Sequence, residues 1–266
     1  MLIKVVAVQS KLGNVLSLEE KLFIFKQKPD FVCLPEYCFI DEKMPDFGRA
    51  ALTAKDHLKY LQALSEALAT TLIGGSIVEA ERDSLFNSAY IFRRGQKIDK
   101  YRKLSPVEGE LERGILPGDR LFTTTVNGIK IALLICADAL NINLFEALRS
   151  EEVDIIFIPT TSPMRPDEKK IEKYKRDNDI YLHAAQVAGS FILKTCGVGS
   201  LFGKPLQGRT LIVSPWGFLK RVDPFSEDSK CILTAVLDID ELHDFRRKQQ
   251  IDVLIKEESS VARFDQ

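Results

Sequence analysis

Apolar residues along the chain follow two rhythms. Short apolar runs, many rich in β-branched types, recur at 2–8, 30–34, 72–78, 87–92, 121–126, 129–135, 153–158, 190–196, 210–213 and 232–239. Runs of that length and composition predict buried strands. Between them, apolar positions repeat at helical spacing over 16–26, with Ser17 as cap, over 57–70, with Leu58, Leu61, Leu64 and Leu68 on one stripe, and over 144–149 and 169–188. Arg94-Gly95, with a returning strand at 97–104, and Asn127-Gly128 predict hairpins. The stretch 105–120, SPVEGELERGILPGDR, has no period and is expected to be a loop.

Strands alternating with helices define an α/β chain, but a purely parallel sheet would not need hairpins. The expected architecture is two mixed β-sheets packed together with helices outside. No linker, low-complexity tract or shift in composition interrupts residues 1–266, so one domain is expected. The last thirty residues are charged and are expected to cover the surface or a partner. Three polar sites, Glu36, Cys136 and the Thr160-Thr161 pair, each follow the carboxyl end of an apolar strand, the edge where α/β sheets place ligands.

Composition narrows the picture. With a net charge of −1 over 266 residues, a nucleic-acid or polybasic membrane surface is not expected. The N-terminal MLIKVVAVQS does not resemble a secretory signal, and no apolar run reaches a membrane span. Five cysteines and three histidines do not form a metal-ligand pattern, so neither metal nor cofactor is expected. Cys33, Cys38, Cys196 and Cys231 read as core filling, and Gly74-Gly75 as a close strand approach rather than a phosphate cradle. A reduced, cytoplasmic protein is the expectation.

Cys136 stands out chemically. A buried strand ends at this residue, shortly before a helix start at Asn141 or Asn143, which holds the thiol on a rigid element with backbone N–H groups near its sulfur. Glu36 sits among Leu34, Pro35, Tyr37, Cys38 and Phe39, an apolar setting for a carboxylate. LPEYCF around Glu36, YRKL around Lys103 and LLICAD around Cys136 resemble, in order and spacing, the three signatures of the nitrilase (carbon–nitrogen hydrolase) superfamily. IGGS (73–76), FNSAYIF (86–92), LPGD (116–119), RDNDIYLHAAQVAG (176–189) and GRTLIVSPWG (208–217) extend the resemblance over residues 2 to 240.

The resemblance implies a four-layer α-β-β-α sandwich with a Glu36-Lys103-Cys136 triad. Glu36 would act as general base, Cys136 as nucleophile, and Lys103 with the Ala137 N–H as oxyanion stabiliser. It also implies a second glutamate before the Pro-Gly of the long loop. Glu108, Glu110 and Glu112 compete for that place, with Glu112 preferred on spacing and Glu110 next. Asp138, Thr160 and Thr161 complete the expected oxyanion and substrate-binding set. The implied reaction cleaves a non-peptide C–N bond of a small linear amide or N-carbamoyl compound and releases ammonia. Nitrile hydrolysis by the same triad, acyl transfer, and a catalytically inactive binding protein on the same fold are the alternatives.

Some positions depart from the family pattern. Ala137 follows the cysteine where an aromatic residue is common, Asp177-Asn178 replaces a Glu-Asn pair, and the later asparagine is missing from QVAG. Loops 40–56, 105–120 and 160–170 are expected to set the substrate's tail, with Arg113 or Arg165 as possible partners of a carboxylate. The resemblance further implies a homodimer or higher homo-oligomer, with the segment from about 240 at the interface. An enzyme is expected to show a hyper-reactive thiol that is lost on Glu36→Gln.

Overall fold

The computed structural model describes residues 1–249. Its strands are β1 (Leu2–Lys11), β2 (Phe31–Cys33), β3 (Thr71–Glu81), β4 (Ser84–Arg93), β5 (Gln96–Arg102), β6 (Ile115–Leu116) and β7 (Phe122–Val126). They continue with β8 (Ile129–Leu133), β9 (Ile155–Thr160), β10 (Phe191–Leu201), β11 (Lys204–Leu206), β12 (Leu211–Ser214), β13 (Gly217–Arg221) and β14 (Cys231–Asp238). The helices are α1 (Leu18–Gln27), α2 (Phe47–Leu52), α3 (Ala54–Ala67), α4 (Glu108–Leu111), α5 (Ile142–Ser150), α6 (Lys170–Asp177) and α7 (His183–Ala188), and residues 239–249 are also helical.

The strands form two sheets of the same design. In the first, β1, β2 and β3 run parallel, with antiparallel β14 on one side and β4 then β5 on the other. In the second, β8, β9 and β10 run parallel, with antiparallel β7 on one side and β12 then β13 on the other. The sheets join where the ends of β1 and β10 pair, at Ser10↔Gly197 and Lys11↔Val198.

Side-chain alternation builds the layers. In β1, Ile3 and Val5 enter the core between the sheets, while Val6 and Val8 enter the core beneath the helices. Phe31 of β2 meets Phe157 of β9 across the sheet interface, ring centroids 5.5 Å apart. Leu61, Leu64 and Leu68, the stripe foreseen for α3, pack with Val32 and Leu72 on the first sheet's outer face. Both faces of the central strands are therefore apolar, which explains their nearly unbroken hydrophobic runs. This is the expected four-layer α-β-β-α sandwich.

The sequence expectations shift in detail. Ser17 caps α1 through a reciprocal pair with Glu20, as the capping position suggested. The helix expected over 169–188 is α6 and α7 joined by a π-helical turn, Asn178–Leu182. The stretch 105–120 is not structureless, because it holds α4 and β6. The segment expected at a dimer interface is helical up to 249, and its remainder, 250–266, lies outside the described residues. Among the described residues no helix is long and apolar enough to cross a membrane.

Gly75 shows why the Gly-Gly pair occurs where it does. A bulge interrupts the β3–β4 register between Ile73 and Ser76. There Gly75 adopts φ +67°, and a Cβ would fall 2.0 Å from the Pro35 carbonyl oxygen. The strand can approach the turn that carries Glu36 only because this side chain is missing. Gly75→Ala is expected to destabilise the fold by more than about 3 kcal/mol. Gly128→Ala, with φ +80° but open space around it, should lose only about 1 kcal/mol. Urea unfolding of the two variants tests the contrast, and equal losses would contradict the close approach.

Candidate active site

Apart from Glu110, which α4 supplies, the charged and thiol side chains of the site leave the ends of strands. Past β2, Leu34 N–H still bonds the Ile73 carbonyl at 3.0 Å, and the chain then turns at Pro35 and carries Glu36 inward, fully buried. Tyr37 follows at φ +51°, with its N–H on Ser76 Oγ at 3.1 Å. Lys103 comes directly after β5, pinned by its N–H on the Asn87 carbonyl (2.9 Å) and its carbonyl accepting from Gly118 N–H (2.7 Å). Cys136 follows β8 at φ +48° and opens a 3₁₀ segment, Cys136–Leu140. A non-glycine residue in that conformation stores about 1–2 kcal/mol of strain, which the surrounding structure must hold.

Asp138 holds this strained turn. One of its carboxylate oxygens accepts from Ile135 N–H (2.9 Å) and Tyr101 O–H (2.7 Å), the other from Ser105 N–H (2.7 Å). The cysteine's turn is thereby tied to the segment that carries Lys103. Asp138 is fully buried with its oxygens taken by the protein and does not line the cavity, unlike the place expected for it among substrate-binding groups.

The charged centre is compact. Lys103 Nζ lies 2.9 Å from Glu36 Oε1 and 2.7 Å from Glu110 Oε2, with only 1% of its side chain exposed. Asn87 Nδ2 donates to both carboxylates, at 2.8 Å to Glu36 and 3.0 Å to Glu110. Glu36 Oε2 accepts from the Thr161 N–H (2.7 Å) and hydroxyl (2.5 Å). Tyr37 O–H donates to Glu110 at 2.5 Å, and the Val107 N–H does so at 2.8 Å. The Cys136 thiol donates to the Thr161 carbonyl at 3.2 Å, so this one residue touches both the carboxylate and the sulfur.

Electrostatics follow from that geometry. Burial opposes the Lys103 charge, but the Glu36 and Glu110 carboxylates outweigh it and hold the ammonium well above its usual range. Burial likewise opposes the Glu110 carboxylate, and the Lys103 charge and hydrogen bond outweigh that, so its pKa is lowered. Burial, then the Glu36 charge, push the Cys136 thiol well above its ordinary value, against the opposing pull of Lys103. These influences favour the neutral thiol over the thiolate.

Glu36, Lys103 and Cys136 meet at one cavity of about 320 Å³, together with Tyr37, Glu110 and Thr161. Glu112 does not. It is exposed and makes no side-chain hydrogen bond or ion pair among the described residues, so the preference for it is corrected to Glu110. The reason is the helical turn α4: two residues apart means about 200° around a helix, so burying Glu110 turns Glu112 outward. Thr160 is buried, but its hydroxyl bonds the Ile158 carbonyl (3.0 Å) and it does not line the cavity, unlike Thr161. Ala137 stands in the first turn of the 3₁₀ segment, where N–H groups have no partner within the helix. Asn87 and Tyr37 were not among the expected site residues. The signal for Asn87 was a polar residue opening an apolar strand, and for Tyr37 its place beside Glu36.

A two-sheet sandwich with a cysteine and a buried Glu-Lys-Glu cluster on one cavity is the framework of a hydrolase. The chain belongs to the carbon–nitrogen hydrolase family, whose profile matches residues 6–247. A probable hydrolase, YhcX, of Bacillus subtilis is 29% identical over 141 residues, which is 50% of this chain but only 28% of that protein. Omega-amidase NIT2 of Mus musculus is 25% identical over 250 residues, 86% of this chain and 83% of that one. A carbon–nitrogen hydrolase structure from Helicobacter pylori superposes with a TM-score of 0.80 at 20% identity, covering 94% and 93% of the two chains. A glutamate-to-glutamine mutant of the Nesterenkonia sp. AN1 amidase, with the acetamide moiety of fluoroacetamide on its active-site cysteine, superposes at 0.73 with 15% identity, covering 94% and 96%.

The raised thiol pKa predicts a different outcome from the hyper-reactive thiol expected from sequence. Below its pKa a thiol carries little thiolate, so iodoacetamide should modify wild-type Cys136 slowly near neutral pH and faster into the alkaline range. Glu36→Gln removes a charge that raises the thiol's pKa while Lys103 still lowers it. The profile should therefore move to lower pH, with modification several-fold faster at about pH 8. Mass spectrometry of the Cys136 peptide across a pH series reads this out, and slower modification of the variant at every pH would refute it.

Proposed function

We propose that this protein hydrolyses the C–N bond of a small linear amide or N-carbamoyl compound through Glu36, Lys103 and Cys136, releasing ammonia. The observation that carries the reading is the 2.9 Å Glu36–Lys103 pair, buried at the same cavity as Cys136. Because the sulfur rests as a thiol, its proton passes to Glu36 as the sulfur attacks the carbonyl carbon, rather than before. Lys103 and the Ala137 N–H meet the oxyanion of the tetrahedral intermediate. The C–N bond breaks as Glu36 returns the proton to the leaving nitrogen, which leaves an acyl thioester on Cys136. Water then attacks the thioester, Glu36 takes its proton, and the carboxylic acid departs as the thiol reforms. Glu110 and Asn87 keep Lys103 and Glu36 in register throughout. The omega-amidase and the Nesterenkonia amidase among the relatives support amides as the substrate class.

Ammonia release from a panel of small amides, ω-amides, N-carbamoyl amines and nitriles tests the reading. Cys136→Ala should abolish turnover, and Lys103→Met should lower kcat by about 10²–10³. Glu110→Gln should cost about tenfold or more, while Glu112→Gln should stay within about twofold of wild type. Turnover that survives in Cys136→Ala, or no turnover of any compound by folded protein, rejects it. We propose in addition a homodimer in a reducing cytoplasm, a setting supported by five unpaired cysteines. Gel filtration should give twice the chain mass, and a monomer alone would sink the dimer.

A further inference from the structure

The cavity combines three kinds of surface. Its reactive part is the Glu36-Lys103-Glu110 cluster with Cys136, and Phe47, Val107, Leu201 and Phe202 supply apolar wall. Two more cations line it, Arg113 and Lys204, both solvent-exposed. Neither has an acidic partner within ion-pair distance among the described residues. The lining as a whole carries two carboxylates and three cations, and only Lys103 is neutralised from within.

Contacts hold the Arg113 side chain, and a tight turn sets the backbone of Lys204. Arg113 Nη1 donates to the Gly109 carbonyl at 2.8 Å, and its guanidinium lies 5.5 Å from the Phe202 ring centroid. One of its five N–H groups is used, and the rest of the fork is open to an acceptor. Phe202 and Gly203 take φ +49° and +78°, the two left-handed positions of a tight hairpin turn between β10 and β11. A bulky residue is strained there, and its ring packs edge-on against Phe47 at 4.8 Å. The same turn sets Lys204 opposite Leu201 in the hairpin register, which brings its charge to the cavity. Arg165, the other arginine weighed for this role, does not line the cavity; its charge neighbours Arg176 instead.

We infer that the site selects amides whose far end is a carboxylate, with Arg113 and Lys204 as the residues that recognise it. The inference rests on the amide-hydrolase reading above. The amide carbon meets Cys136, an aliphatic middle lies along the apolar wall, and the tail carboxylate receives N–H bonds from the guanidinium and ammonium. A neutral tail leaves both cations with water alone, and an ammonium tail meets like charge. A volume of about 320 Å³ restricts the substrate to a small molecule.

The test pairs molecules that differ only at the tail: succinamate with butyramide, and glutaramate with pentanamide. Calorimetric binding to the Cys136→Ala protein is measured beside kcat/KM of the unsubstituted protein on the same pairs. The carboxylate member should bind at least about tenfold tighter, and the preference should shrink as salt is added. The Arg113→Gln, Lys204→Gln double variant should bring the ratio within each pair close to one. Lys204→Glu should move the preference towards an ω-amino amide. Equal or better binding of the neutral member, no binding of either, or a ratio unchanged in the double variant overturns the inference. Tail preference in binding without turnover refutes the hydrolase reading and leaves this one standing; turnover without preference does the opposite.

Discussion

The ammonium of Lys103, enclosed between two carboxylates, is the interaction on which the rest depends. A lone buried charge is costly by several kcal/mol, and removing one member of such a cluster exposes the others to that cost. Here one cation faces two anions, and the imbalance is absorbed by neutral donors: Asn87 bridges the carboxylates, Thr161 serves Glu36, and Tyr37 serves Glu110. Each donor must therefore arrive with the right geometry. That requirement reaches back into the backbone, to the left-handed Tyr37 and to the glycine that lets β3 pass beneath Pro35.

The two sheets divide the labour. The first delivers Glu36, Asn87 and Lys103 from the end of β2, from β4 and from the end of β5. The second delivers Cys136 and Thr161 from the ends of β8 and β9. Neither sheet holds a complete site, so the apolar contact between them, Phe31 on Phe157 among many, also brings Glu36 to Cys136. Asp138 adds a polar tie across the same boundary, through Tyr101 and Ser105. Stability and reactivity thus share one interface.

Much of this was legible in the chain itself. Strand runs, the Ser17 cap, the leucine stripe and both hairpins follow from local rules, since each depends on residues close in sequence. Glu36, Lys103 and Cys136 were legible because each follows a strand in a recognisable short motif. The choice between Glu110 and Glu112 was not. Spacing pointed to one, while a single helical turn inside an apparently patternless loop buried the other. Asp138 was misassigned for a related reason: its three donors come from residues 101, 105 and 135, and tertiary contacts of that kind leave no periodic trace. The β10–β11 turn at Phe202-Gly203 escaped notice because a phenylalanine is an unusual residue at a left-handed position.

The neutral state of Cys136 also bears on how the protein ages. Peroxide and related oxidants attack thiolates, and the rate of sulfenic acid formation follows thiolate character. A cysteine activated permanently by a lowered pKa is exposed to that chemistry between turnovers. Here burial and the Glu36 charge hold the thiol's pKa up, and the sulfur's proton is directed at the Thr161 carbonyl. Burial and the neighbouring Glu36 carboxylate, which raise its pKa, thus also shield the Cys136 sulfur from oxidation.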